Sequence, residues 1–350
     1  MTKERLSRLG RAFAKRYIID ALGAMALGLF SSLIIGVILN QIFNLTGLAD
    51  LGFAQAVMKM TGAQSPVVGA AIAVAIGCGL KAKPLALYAA AAAGAIGYTA
   101  SVSGIAAGPL GAYIAAVIGV EAGSLLSGKT KLDILVVPTA VIIAGAVAGT
   151  LVGPPLAAFM RGIGELVNRM TLLRPFPMGM AVSAIMGIIL TAPISSAALA
   201  IMLGLSGLAG GAATAGCCAH MVGFAVASYR ENRVAGLLSQ GLGTSMLQVP
   251  NILRHPRIIL PAVVASLVTG PLATVVFAMH NSPLGAGMGT SGLVGPITTW
   301  IAMKDSAGAG TLLGTILLLY FFLPAAIALA ISEFMRKSGW IKPGQMKLDL

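Results

Sequence analysis

Two ten-residue stretches in the second half of the chain share one pattern: 241–250 reads GLGTSMLQVP and 287–296 reads GMGTSGLVGP, giving G-x-G-T-S-x-L-x-x-P in both. Adjacent Thr and Ser supply hydroxyls that donate and accept hydrogen bonds, and the flanking glycines let the backbone turn sharply and approach a ligand closely. Gly243, Thr244 and Ser245 of the first copy and Gly289, Thr290 and Ser291 of the second are therefore candidates for holding a polar or anionic solute. Gln248 and Asn251 follow the first copy, while His280 and Asn281 lead into the second. Amides and an imidazole suit a hydroxyl-rich ligand. His220 and Glu121 complete the candidate set, each in an apolar stretch where an ionisable side chain is expensive. For Glu121 an ion pair stands beside the functional reading, and for the histidines a structural hydrogen bond does.

Other chemistry is not indicated. The letters G-x-x-x-x-G-K-T occur at 123–130, but at the end of an apolar span instead of between a strand and a helix; with no Ser-His-Asp order and no metal-ligand cluster, nucleotide hydrolysis is not expected and no cofactor is implied. Cys78, Cys217 and Cys218 lie in apolar surroundings at spacings that suit neither a disulfide framework nor a metal.

The elements that must position these residues are membrane helices. The chain has 350 residues, of which 57% are hydrophobic and 9% charged, against about 25% charged in soluble domains. Apolar runs near the roughly 20 residues that cross a bilayer recur along almost the whole length. About ten crossings fit: 17–43, 66–80, 85–105, 109–126 and 134–152, then 177–190, 197–208, 212–228, 258–279 and 311–331. The net charge of +13 is spread next to apolar segments instead of forming one basic face, which argues against nucleic acid and for topology. Lys3, Arg5, Arg8, Arg11, Lys15 and Arg16 precede the first span without a small-residue cleavage site, so the first helix is expected to be retained. Arg336, Lys337, Lys342 and Lys347 follow the last span, which places both termini in the cytoplasm.

This organisation divides the chain into three. Residues 1–152 form an N-terminal membrane half. Gly153, Pro154 and Pro155 are expected to stop its last helix, and 153–175 reads as an amphipathic segment, either an interfacial linker or an ordinary packing helix. Residues 176–350 form the second half. Each motif copy there sits in a segment too short and broken to span, near 234–251 and 283–300. With one outward span between them, the two segments read as re-entrant hairpins entering from opposite faces, as in inverted transporter repeats. Close glycine packing of two hairpins is the alternative.

Five stretches, GCGLKAKPLALY, GPLGAYIAAVIGVEAG, SGKTKLDILVVP, SMLQVPNILRHPRI and GAGMGTSGLVGPI, together resemble the EIIC-like membrane component of the bacterial sugar phosphotransferase system. The likeness is to its type 2, perfringolysin-regulator-like branch and runs from about residue 15 to 335. It implies an all-α integral membrane protein of the bacterial plasma membrane, with about ten helices, two hairpins and commonly a homodimer. It further implies inward movement of a sugar or polyol, phosphorylated through a separate EIIB protein, by an elevator-like shift of the second half against the first. Better-characterised sugar families carry a Glu and a His near the substrate, whereas the second hairpin here reads Ser291-Gly292-Leu293 without an acid. A solute-binding membrane sensor, or an uncoupled or ion-coupled carrier, is the other class of function in view.

Overall fold

A computed structural model describes residues 13–62, 64–102, 105–305 and 308–348. The basic residues Lys3, Arg5, Arg8 and Arg11 lie outside the described residues. Among the described residues the fold is helical apart from a two-residue antiparallel pair, β1 (Ser101–Val102) with β2 (Ile105–Ala106). Six helices among the described residues are long and apolar enough to cross a membrane, and a bent pair, Gly52–Thr61 with Pro66–Gly79, adds a seventh candidate. The chain is a multi-pass membrane protein.

Two compact units divide the chain, Met1–Phe159 and Met160–Leu350. In the first, a long helix α1 (14–46) contains two π-helical turns and is followed by α2 (Gly52–Thr61), α3 (Pro66–Gly79), α4 (Pro84–Thr99), α5 (Gly108–Leu126) and α6 (Asp133–Thr171). Proline opens α3 and α4 in the first turn, where its missing N–H leaves no bond unmade. Small residues then bring backbones together. Gly69 of α3 faces the Gly94 carbonyl of α4, and Gly97 of α4 faces the Gly111 carbonyl of α5, so a Cβ at either glycine would meet backbone oxygen at 2.6 or 2.4 Å. Van der Waals packing of this kind drives helix association in lipid.

The expected stop at Gly153-Pro154-Pro155 is absent, because α6 runs unbroken from Asp133 to Thr171. Two prolines remove two backbone donors, but a break would leave more groups unpaired, and membrane helices tolerate proline where such groups are re-satisfied. Just before the prolines, Thr150 Oγ1 donates to the carbonyls of Ala146 and Val147.

The second unit is less regular. After the last turns of α6 come α7 (Pro175–Thr191), a seven-residue α8 (Ser196–Met202) and α9 (Gly207–Ala227), whose side chains are almost all buried. Helices α7 and α9 run parallel, since Gly216 packs on the Ser183 backbone while Gly187 and Thr191, further along α7, meet His220 further along α9. The chain must therefore return the length of a helix between them. It does so through 192–206, where α8 is flanked by non-helical backbone. The stretch 197–208, expected as a crossing, thus holds a seven-residue helix within this return. Helix α10 (Tyr229–Leu238) is broken at Arg233 (φ 52°, ψ −147°) and continues into a π-helical turn, Ser239–Gly243. A 3-10 turn (Ser245–Gln248) leads to α11 (Val249–Arg254). Helix α12 (Leu260–Pro271) sits inside the candidate span Pro256–Val276 and packs antiparallel to α7, with Gly179 against Gly270 and the Ser183 hydroxyl donating to the Ser266 carbonyl. The four-residue α13 (Pro283–Ala286), a 3-10 turn (Ser291–Leu293), α14 (Val294–Met303) and a long α15 (309–337) complete the chain.

Candidate functional site

The two motif copies meet at the middle of α9. In each, a tight turn precedes a 3-10 turn that begins at the motif serine, and the motif proline lies in the helix that follows. Thr290 Oγ1 of the second copy donates to the Gly241 carbonyl of the first at 2.5 Å and lies 3.4 Å from Met221 Sδ. Gly289, at φ +55°, is pressed against Cys217, where a Cβ would stand 2.8 Å from the Cys217 carbonyl carbon. Only glycine satisfies both that dihedral and that approach. From the first copy, Ser245 Oγ lies 2.8 Å from Thr191 Oγ1, and Thr191 in turn lies 2.9 Å from His220 Nδ1. Thr191, His220, Ser245, Thr290 and Ser291 are all buried, so α7, α9 and both turns contribute to one polar cluster inside an otherwise apolar unit.

Two atoms of this cluster, His220 Nε2 and Ser291 Oγ, are buried without a hydrogen-bond partner in the protein. A buried polar group left unpaired costs about 1–3 kcal/mol, so such atoms call for an explanation. The Thr191 hydroxyl is also 3.1 Å from the Gly187 carbonyl. If that carbonyl takes its proton, His220 Nδ1 and Ser245 Oγ are the donors to Thr191, and His220 Nε2 is left as a bare acceptor for an outside hydroxyl.

The other candidate residues have different surroundings. Thr244 caps its own turn, its Oγ1 accepting from the Met246 N–H at 3.1 Å, and Gly243 closes the π-helical turn. Gln248 and Asn251 are buried but turned toward the C-terminal segment: Gln248 Nε2 donates to the Met346 carbonyl at 3.0 Å and Asn251 Nδ2 to the Lys347 carbonyl at 2.8 Å. Asn281 fastens the segment that leads into the second motif copy to α9, donating to Thr214 Oγ1 and to the Gly295 carbonyl, while its backbone pairs with Gly207. His280 is exposed, its backbone N–H reaching Met303 Sδ. Glu121 belongs to the first unit, where its carboxylate accepts from Arg16 at 2.6 and 2.9 Å. His255 lies 3.3 Å from the Gln345 side chain.

Sequence reasoning passed over Thr191 and Gln240. Thr191 stands just before the Pro193 break, and its position at a helix end beside a kink was the available signal. Gln240 precedes the first motif by one residue and links Ser228 to Gln248.

The sequence matches the family model described as Phosphotransferase system, EIIC, over residues 19–348. The chain belongs to this family. The match takes in both units and both motif copies, so the meeting of the two turns lies within an EIIC domain, and the resemblance read from the five sequence stretches is the family itself. No curated protein matches the chain. An EIIC domain is a membrane component of the phosphotransferase system, which fits the apolar helices of both units.

Proposed function

We propose that this EIIC protein is a permease for a sugar or polyol, which it binds between the two motif turns and passes inward to a separate cytoplasmic EIIB. One observation carries this reading: two hydroxyl-bearing turns meet at α9 beside two buried, unpaired polar atoms, His220 Nε2 and Ser291 Oγ. A solute hydroxyl entering there would satisfy atoms that the closed protein leaves unmet, so its binding offsets a cost already present. In this reading the turns are tips of re-entrant hairpins, one entering from each membrane face. The second half carries them past the first half, which acts as scaffold in a homodimer of the bacterial plasma membrane with both termini in the cytoplasm. Because Thr290 touches Gly241, the arrangement described is the closed one, and the tips part to admit solute.

The absence of a carboxylate from both motifs favours a second reading, a solute-binding sensor without coupled phosphorylation. Purified protein in liposomes separates the two. Phosphorylated sugar accumulating inside only when a phosphorylated EIIB is present supports the permease; binding with no flux under any condition supports the sensor.

A further inference from the structure

The C-terminal segment beyond α15 is built into the first hairpin. Asn232 Nδ2 and Gln248 Nε2 both donate to the Met346 carbonyl at 2.8 and 3.0 Å, Asn251 Nδ2 donates to the Lys347 carbonyl, and the Leu348 N–H returns a bond to Asn232 Oδ1 at 2.8 Å. Met346 and Ile341 are buried, with Ile341 packed in a cluster with Phe224, Ile258 and Met335. The near end of the segment is held by Arg336, whose guanidinium grips Glu231 through two bonds and the Ala227 carbonyl through a third. Three side chains reading main-chain carbonyls make a specific seat for this segment, where surface packing alone would need none.

The seat is wired to the tip. Asn251 donates to Gln248 Oε1, Gln248 to Gln240 Oε1, and Gln240 to Ser228 Oγ and the Gly236 carbonyl, each bond between 2.8 and 3.0 Å. Gln240 belongs to the same π-helical turn as Gly241, whose carbonyl receives the Thr290 hydroxyl of the opposing tip. Every amide in this line is buried, so pulling the tail away would leave Asn232, Gln248 and Asn251 short of partners and force the line to rearrange.

We propose that residues 338–348 form a latch: seated, they hold the first hairpin closed against the second, and their release lets the tips part. The latch depends on the permease reading only for what its release would expose. A cytoplasmic protein that docked on α10, α11 and this segment would act on it directly.

Native thiols report the test. Cys217 and Cys218 are buried beside Gly289 at the meeting of the tips, whereas Cys78 is exposed. In a Cys78→Ser background these two are the remaining thiols, and their rate of labelling by a small maleimide in detergent reads tip opening without any solute. Truncation after Lys337 is expected to raise that rate about tenfold, as for a local opening made more frequent. The synthetic peptide SGWIKPGQMKLDL, added in trans, is expected to bring the rate back down. In the full chain, Asn232→Leu, which removes two of the tail's bonds, should give a smaller rise. An unchanged rate after truncation overturns the latch, and so does a rise that the peptide fails to reverse, which would mark general loosening. Failed sugar uptake would leave these outcomes as they are, and a failed latch would leave the permease reading standing.

Discussion

In the first motif turn Thr244 is extended (φ −159°, ψ 140°) and caps its own turn; in the second, its counterpart Thr290 sits near φ −82°, ψ 1° and reaches across to the first. Ser245 is bonded to Thr191, while Ser291 has no partner in the protein. The residues that follow account for the divergence. Met246 continues an ordinary 3-10 turn, but Gly292 and Leu293 both take left-handed backbone, at φ 52° and 61°. For Leu293 that conformation is unfavourable and persists where its surroundings hold it there. Equal motif letters thus give equal element order, a 3-10 turn into a helix with an early proline, and unequal chemistry. The first tip is tied into the protein, and the second keeps spare hydrogen-bonding capacity.

Glycine substitutions test this contrast most severely. Gly289→Ala places a Cβ against the Cys217 backbone at a left-handed φ and should cost about 3 kcal/mol or more, read as a fall in apparent Tm in detergent. Gly243→Ala, in a helical turn, should cost well under half of that. Equal losses would mean that the two turns are equivalent after all.

Next come the hydroxyls and the imidazole. His220→Leu should weaken sugar binding by about 10–100-fold, the worth of one buried hydrogen bond. Ser291→Ala should weaken it by about tenfold while leaving the solute-free protein as stable as before, because it removes a group that is unpaired there. Ser245→Ala should instead lower stability by about 1 kcal/mol through loss of the Thr191 bond. Calorimetric titration with thermal unfolding of the three variants separates these effects; a destabilised Ser291→Ala with unchanged affinity would reverse the roles assigned to the tips.

Smaller still, Thr290→Val should cost about 1 kcal/mol by removing the one tip-to-tip hydroxyl bond described here. Its signature is faster labelling of Cys217 and Cys218. The smallest effect is expected in the first unit. Glu121→Gln breaks an ion pair whose side chains are 42% and 29% exposed, so the loss should stay below about 1 kcal/mol with sugar affinity unchanged. A large drop in affinity would add Glu121 to the site.

Much of this architecture could be read from the chain because its signals are local. Pro66 and Pro84 open helices, Pro193 marks the break before α8, and the motif copies announce two matched turns in segments too short to span. Pro154 and Pro155 misled because proline inside a helix removes a donor without always ending the helix, and α6 continues through both to Thr171. Gln248 and Asn251 looked like ligands for solute because amides suit a hydroxyl-rich molecule; the main-chain carbonyls they bind, of Met346 and Lys347, lie about a hundred residues later. Thr191 was missed for the same reason, since its value comes from His220 and Ser245 on other elements. The buried polar side chains repeat the lesson. Among the described residues Ser65 is the one such side chain in the first unit, and the others all belong to the second, a division that hydropathy, uniformly high across both, does not display.

The return stretch 192–206 bears on how the protein is made. Its short helix is moored at one end by the Ser196 hydroxyl to the Gly287 carbonyl and at the other by Gly207 pairing with Asn281. Neither mooring point exists until the ribosome has synthesised some eighty further residues, and lipid offers the stretch no substitute for them. The stretch can therefore take its final place only after the second motif turn has been made, so the order of synthesis is not the order in which this part of the fold is completed.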